Sequence, residues 1–139
     1  MNALFRIVIL FALSLSLSAC GGGGGAPADS PEVAVIEAME DAWNAEDLDA
    51  VMSYYADDAV ISWSMGTFHG KEEIRKVVEQ YINDFTQDCR NYVQNGNTLT
   101  YECFLQARTG SNTSLEFYET VIEDGKIKSD TFTGADRNP

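Results

Sequence analysis

Basic side chains are scarce in this 139-residue chain. Nine Lys and Arg stand against 22 Asp and Glu, for a formal net charge of −13. A surface this acidic repels nucleic acid and anionic headgroups, which excludes nucleic-acid binding. Histidine is almost missing: His69 is the only one. A single imidazole with scattered acids is a poor metal site, so no metal and no cofactor is expected. Three cysteines, with no histidine placed to activate them, make a thiol nucleophile a weak reading. The five glycines of Gly21–Gly25 lack a preceding strand and a following Lys-Ser/Thr, so there is no phosphate-binding loop. After the first 20 residues no segment is apolar enough to insert in a membrane, and no internal repeat is visible.

The chain does have a distinctive start. Arg6, an apolar run from Ile7 to Leu17 and then small residues have the layout of a secretory signal over residues 1–19. Leu17-Ser18-Ala19-Cys20 resembles the lipobox of bacterial lipoproteins. The resemblance implies cleavage before Cys20, diacylglycerol on its sulfur and attachment to a membrane through that lipid. An ordinary signal with a chance cysteine is the plainer alternative. The glycine run argues against it, because residues 20–29 then form the flexible tether that an acylated cysteine needs. Gly21 stands where many inner-membrane lipoproteins carry aspartate. The expected location is therefore the periplasmic face of the outer membrane in a Gram-negative cell, or the cell surface otherwise.

A single domain is expected over residues 30–134, with a tail over 135–139. Ser30-Pro31 is a helix start, with serine as N-cap and proline where its missing N–H costs nothing. The first helix runs to about Asn44, with Ile36, Met39 and Trp43 at helical spacing. A second helix is expected over Asp47–Tyr55, from the stripe Leu48, Val51, Met52 and Tyr55. Asp57-Asp58 reads as a turn before a strand over Ala59–Trp63. After a connection with a short strand at Thr67-Phe68, the apolar positions Ile74, Val77, Val78, Tyr81, Ile82 and Phe85 predict a third helix over Lys71–Phe85.

The remainder reads as antiparallel β. Cys89–Gln94 and Thr98–Arg108 flank Asn95-Gly96-Asn97. A three-residue loop there sets Cys89 across from Cys103, and a two-residue Asn-Gly turn sets Cys89 against Glu102. In an oxidising compartment the first arrangement allows a disulfide between Cys89 and Cys103. A strand over Thr113–Glu123 joins one over Lys126–Thr133 through Asp124-Gly125, a type I′ turn signal. Uninterrupted pairing from that turn matches Ile122 with Ile127, Glu119 with Asp130 and Phe117 with Phe132.

Four segments in order carry a resemblance: Asn44-Ala45-Glu46-Asp47-Leu48-Asp49, Tyr55-Ala56-Asp57-Asp58-Ala59-Val60, Phe68-His69-Gly70-Lys71-Glu72-Glu73-Ile74-Arg75, and Glu123-Asp124-Gly125-Lys126-Ile127. Together they resemble the SnoaL-like branch of the nuclear transport factor two superfamily, over roughly Ser30 to Gly134. The resemblance implies an α+β cone, a curved antiparallel sheet packed against three helices, with a pocket in its mouth. It implies homodimers through the sheet in many members. It does not imply one chemistry, because the same cone hosts isomerases, cyclases, hydrolases and plain binders. The isomerase pattern puts its base on Trp63, its tyrosine on Met39 and its acid on Tyr118 or Glu119. The first two cannot serve. The hydrolase pattern needs two aspartates bridged by an arginine, and Arg75, Arg90 and Arg108 fall outside the expected cavity.

The expected pocket residues are Met39, Trp43, Tyr55, Trp63, Tyr118 and Phe132, with Ile61, Tyr81, Phe85, Tyr101 and Phe117 as further candidates. For any one of these, ordinary core packing is the plainer reading. Glu119 and Asp130, as cross-strand neighbours on an inward face, would be a general acid/base pair. On an outward face they would be solvated rim charges. Three functions follow in order: binding of a small apolar or aromatic molecule in the cone, a cofactor-independent isomerase, cyclase or hydrolase using that pair, and a sheet-mediated interaction module.

Overall fold

The structure, a computed structural model, describes residues 30–136. The expected signal, the Cys20 lipidation site and the tether through residue 29 lie outside the described residues. So do the last three residues of the expected tail.

Helix α1 (Pro31–Asn44) starts where Ser30 caps it, the serine hydroxyl accepting the Val33 N–H at 3.4 Å. Val33, Ile36, Met39 and Trp43 form its buried stripe. It ends in a Schellman-type turn in which Glu46, at φ 60°, takes the left-handed position that glycine usually fills. Arg108 donates to the last carbonyls, of Trp43 and Asn44, and pairs with Glu46 at 3.2 Å. Its positive charge there complements the negative end of the helix dipole.

Helix α2 (Leu48–Ser53) is shorter than its apolar stripe suggests. Tyr55 is fully buried but opens strand β1 (Tyr55–Trp63), so its side chain reaches the core from the strand. The expected turn at Asp57-Asp58 is strand as well. These carboxylates stay exposed and pair with Lys71 at 3.1 Å and Lys128 at 2.5 Å. Strand β2 (Gly66–His69) pairs back on β1, and helix α3 (Gly70–Tyr81) follows, burying Ile74, Val77 and Val78. Phe85, the last position of the expected third helix, instead opens strand β3 (Phe85–Asn95). Strands β4 (Thr98–Ala107), β5 (Thr113–Glu123) and β6 (Lys126–Asp136) complete a six-stranded sheet in the order β2-β1-β6-β5-β4-β3. The expected tail thus begins inside β6. One pairing departs from an all-antiparallel sheet: β1 runs parallel to β6. The result is a curved, mostly antiparallel sheet closed by three helices.

Three register shifts set the pairing of the outer hairpins, one in β3–β4 and two in β5–β6. At the β3–β4 turn Asn95 pairs with Thr98, so the loop is the two residues Gly96-Asn97. One extra residue around Asn91, at φ 57°, then shifts the ladder and brings Cys89 opposite Cys103. The two sulfurs are bonded. At the β5–β6 turn Asp124 and Gly125 both have positive φ, 51° and 70°, as a type I′ turn requires. Ile122 pairs with Ile127 as expected, but the next pair is Val121 with Ser129. That extra residue re-pairs the strands as far as Tyr118 with Phe132, and a second one then sets Phe117 opposite Gly134.

Strand β3 is a sheet edge, and side chains of α1 stitch it. Trp43 Nε1 donates to the Phe85 carbonyl at 2.9 Å. The Asn44 amide donates to the Gln87 carbonyl at 2.7 Å and accepts its N–H at 2.9 Å. Glu40 accepts the Cys89 N–H. The helix thereby satisfies backbone groups that an edge strand would otherwise present to solvent.

Candidate functional site

A cavity of about 270 Å³ lies between the concave face of the sheet, α1 and the end of α3. Alternation along each strand decides what lines it. Strand β1 contributes Tyr55 and Trp63, β4 contributes Tyr101, Cys103 and Leu105, β5 contributes Glu116 and Tyr118, and β6 contributes Asp130. Met39 and Trp43 close it from α1, Tyr81 from α3, and Phe85, Gln87 and Cys89 from β3. The disulfide is therefore part of the wall. Trp43 and Trp63 meet edge to face with ring centres 6.3 Å apart, while Tyr101 and Tyr118 stack at 5.8 Å.

Asp130 is the buried polar centre of this lining, 5 % exposed. Trp63 Nε1 donates to Oδ2 at 2.7 Å. Thr120 Oγ1 and the Tyr101 hydroxyl donate to Oδ1, at 2.5 and 3.4 Å. Burial pushes the Asp130 carboxyl above the ordinary carboxylate range, and these three donors oppose that shift. Glu116 is the second acid of the lining. It accepts from the Tyr118 hydroxyl at 2.6 Å and from Ser114 at 3.3 Å. Tyr55 lines the cavity and is 1 % exposed. Burial, and then the charge of Asp130, push its hydroxyl well above the usual phenol range.

The expected site residues are placed as follows. Met39, Trp43, Tyr55, Trp63, Tyr118 and Asp130 converge on the cavity. Phe132 does not line it. It packs edge-on against Tyr118 at 6.1 Å and faces an adjoining groove. Glu119 and Asp130 are not partners: the bulge sets Asp130 opposite Thr120 and Glu119 opposite Thr131. Directly opposed residues share a face, so the one-residue shift leaves Asp130 inside and Glu119 exposed outside. Phe117, beyond a second shift, pairs with Gly134 and is exposed, and Ile61 is core without lining the cavity. The roles of Gln87, Leu105 and Glu116 were not anticipated. The bulge does leave a trace in the sequence. Ile127 and Phe132 are both apolar but five residues apart, an odd spacing that strict alternation cannot place on one face.

Among the described residues, no group of three or more His, Cys, Asp or Glu is arranged to hold a metal. His69 is exposed at the start of α3, its backbone N–H donating to Glu73 at 2.8 Å. No helix among the described residues is long and apolar enough to cross a membrane.

A cone with an aromatic interior and a buried carboxyl defines the class of small proteins built around one internal cavity. The model of the SnoaL-like domain matches residues 36–129, and the chain belongs to that family. Solved structures share the fold. RV0760c from Mycobacterium tuberculosis superposes with a TM-score of 0.68 at 17% identity, covering 78% of this chain and 93% of that one. A putative polyketide cyclase from Sinorhizobium meliloti gives 0.64 at 19% identity, covering 72% and 94%. An LEH-like epoxide hydrolase from Mycobacterium tuberculosis gives 0.62 at 18% identity, covering 77% and 86%. No curated protein sequence matches the chain.

Proposed function

We propose that this protein is an exported, lipid-anchored SnoaL-like domain that binds a small apolar or aromatic molecule in its cone. The observation that carries the reading is the cavity. About 270 Å³ is enclosed largely by aromatic side chains, with a few polar groups converging on it. That combination is what a small-molecule site needs: apolar area for affinity, fixed polar atoms for orientation. Export and anchoring rest on the signal-like residues 1–19, Cys20 and the glycine tether. They set the binding site at a membrane surface, on the periplasmic face of the outer membrane in a Gram-negative cell.

Gentle extraction of the full protein, followed by mass spectrometry of what it releases, tests the binding reading. A small molecule at stoichiometric amount is expected, and it is expected to be lost from a Leu105→Trp variant that fills the cavity. A wild-type protein that releases nothing and takes up no aromatic probe overturns it. Cys20→Ser is expected to move the protein from the membrane to the soluble fraction.

A second reading is supported by Asp130 itself. A buried carboxyl held above its ordinary range in a cavity is suited to general acid/base work. Relatives of the fold are named as a polyketide cyclase and an epoxide hydrolase. On this reading the protein is a cofactor-independent isomerase, cyclase or hydrolase. Asp130→Asn would then abolish turnover while ligand binding remains measurable. Glu119 has no part in it.

A further inference from the structure

We propose that the molecule held in the cone is a small organic cation, a protonated amine or a quaternary ammonium group carrying an apolar or aromatic body. The inference rests on the binding reading above and names the chemical class of its ligand.

The cavity's charge is one-sided. Asp130 and Glu116 are the two ionisable acids in its lining, and no Lys, Arg or His lines it among the described residues. The nearby basic residues are engaged elsewhere. Lys128, two residues before Asp130, reaches outward to Asp58 at 2.5 Å, and Arg108 is turned to the end of α1 and Glu46. Among the described residues, Asp130 therefore receives hydrogen bonds only from neutral donors, those of Trp63, Thr120 and Tyr101. A buried carboxylate without a cationic partner is costly, and a cation brought by the ligand supplies that partner.

The walls fit the same charge. Trp43 and Trp63 stand at 73° to each other, forming an aromatic corner, and Tyr81, Phe85 and Tyr118 also face the space. Aromatic faces attract an ammonium group through the ring quadrupole, more strongly when water is excluded. The Tyr55 hydroxyl, on a buried residue of the lining, offers an acceptor to an ammonium N–H. An anionic ligand meets the opposite of all this: two acids inside and a chain of net charge −13 outside.

Three probes of similar shape separate charge from apolar fit: benzyltrimethylammonium, its neutral carbon isostere neopentylbenzene, and phenylacetate. The chain's two tryptophans both line the cavity, so intrinsic fluorescence reports occupancy directly. The full exported chain carrying Cys20→Ser, free of lipid and detergent, is the material. Benzyltrimethylammonium is expected to bind at least tenfold more tightly than neopentylbenzene, although the hydrocarbon gains more from leaving water. Phenylacetate is expected to bind at least a hundredfold more weakly than the cation. Asp130→Asn is expected to collapse the preference for the cation to within twofold. Should that variant fail to fold, Glu116→Gln, at a half-buried position, is expected to reduce the preference severalfold. Equal or tighter binding of neopentylbenzene by the wild type overturns the cation and leaves the apolar-binding reading standing. Failure of all three probes to change the fluorescence overturns both.

Discussion

The two outer hairpins use the same devices with opposite outcomes. Each turns through a two-residue loop that contains a positive-φ glycine, and each ladder is shifted by a one-residue bulge, with a second one farther along β5–β6. In β3–β4 the bulge at Asn91 offsets the tight turn, and Cys89 ends opposite Cys103. In β5–β6 the turn is the one expected, and the bulge then moves Asp130 from Glu119 to Thr120. Register is thus set jointly by turn and bulge, and which carboxylate enters the cavity depends on one inserted residue. The first hairpin fixes a wall of the cavity with a covalent bond. The second fixes its polar centre with hydrogen bonds alone.

Breaking the covalent wall should have the largest effect. The double variant Cys89→Ala, Cys103→Ala is expected to lose about 2–5 kcal/mol in urea unfolding, because the bridge no longer restricts the unfolded chain. Thr120→Val attacks the second hairpin with almost no change of shape. It removes a donor to Asp130 and the 3.0 Å link to Tyr101, and should cost about 2 kcal/mol in the same assay. A loss as large as that of the double cysteine variant would erase the distinction between the hairpins.

The next effect is a pH dependence at the edge of the first hairpin. Burial, and then Asp88, Asp41 and Glu37, raise the Glu40 carboxyl to about 7, against the pull of the Cys89 N–H. The folded state therefore holds this proton more tightly than the unfolded state, whose carboxyl titrates near 4.5. Stability from this group is full below about 4.5 and is lost as pH rises through about 7. The carboxyl is only half buried, so solvent screening limits the effect to on the order of 1 kcal/mol. Thermal unfolding at pH 5 and pH 8 should show a smaller difference for Glu40→Gln than for wild type. The smallest effect belongs to Glu119→Gln. On the exposed outer face it should change stability by less than about 0.5 kcal/mol and leave probe binding unaltered. Lost binding would place Glu119 in the site after all.

Much of the fold is legible in the residues. Ser30-Pro31 marks the start of α1, the apolar stripe of α3 marks its buried face, and Asp124-Gly125 marks the last turn. Two boundaries mislead for one reason. Tyr55 and Phe85 continue helical stripes, yet each is the first residue of a strand, which buries Tyr55 in the core and turns Phe85, half-buried, to the cavity wall. Periodicity reports burial, and burial does not distinguish the last turn of a helix from the strand that follows. The parallel pairing of β1 with β6 joins segments about 70 residues apart, and nothing local encodes it. In the site, Trp43 and Trp63 follow from the family resemblance, since spacing alone does not separate a pocket wall from ordinary core. The choice of Asp130 over Glu119 needs the bulge, for which the odd spacing of Ile127 and Phe132 is the only trace.

The stitching of β3 by α1 also bears on what this sheet does in a crowd. A six-stranded sheet has two borders where another molecule's backbone could add a strand. One border is β3, where Trp43, Asn44 and Glu40 hold the backbone of Phe85, Gln87 and Cys89, the half of the strand nearest its start. The other, β2, is four residues long. In a concentrated solution, neighbouring copies find the first half of β3 already taken and β2 short, and the helix that closes the cavity is the part that takes it.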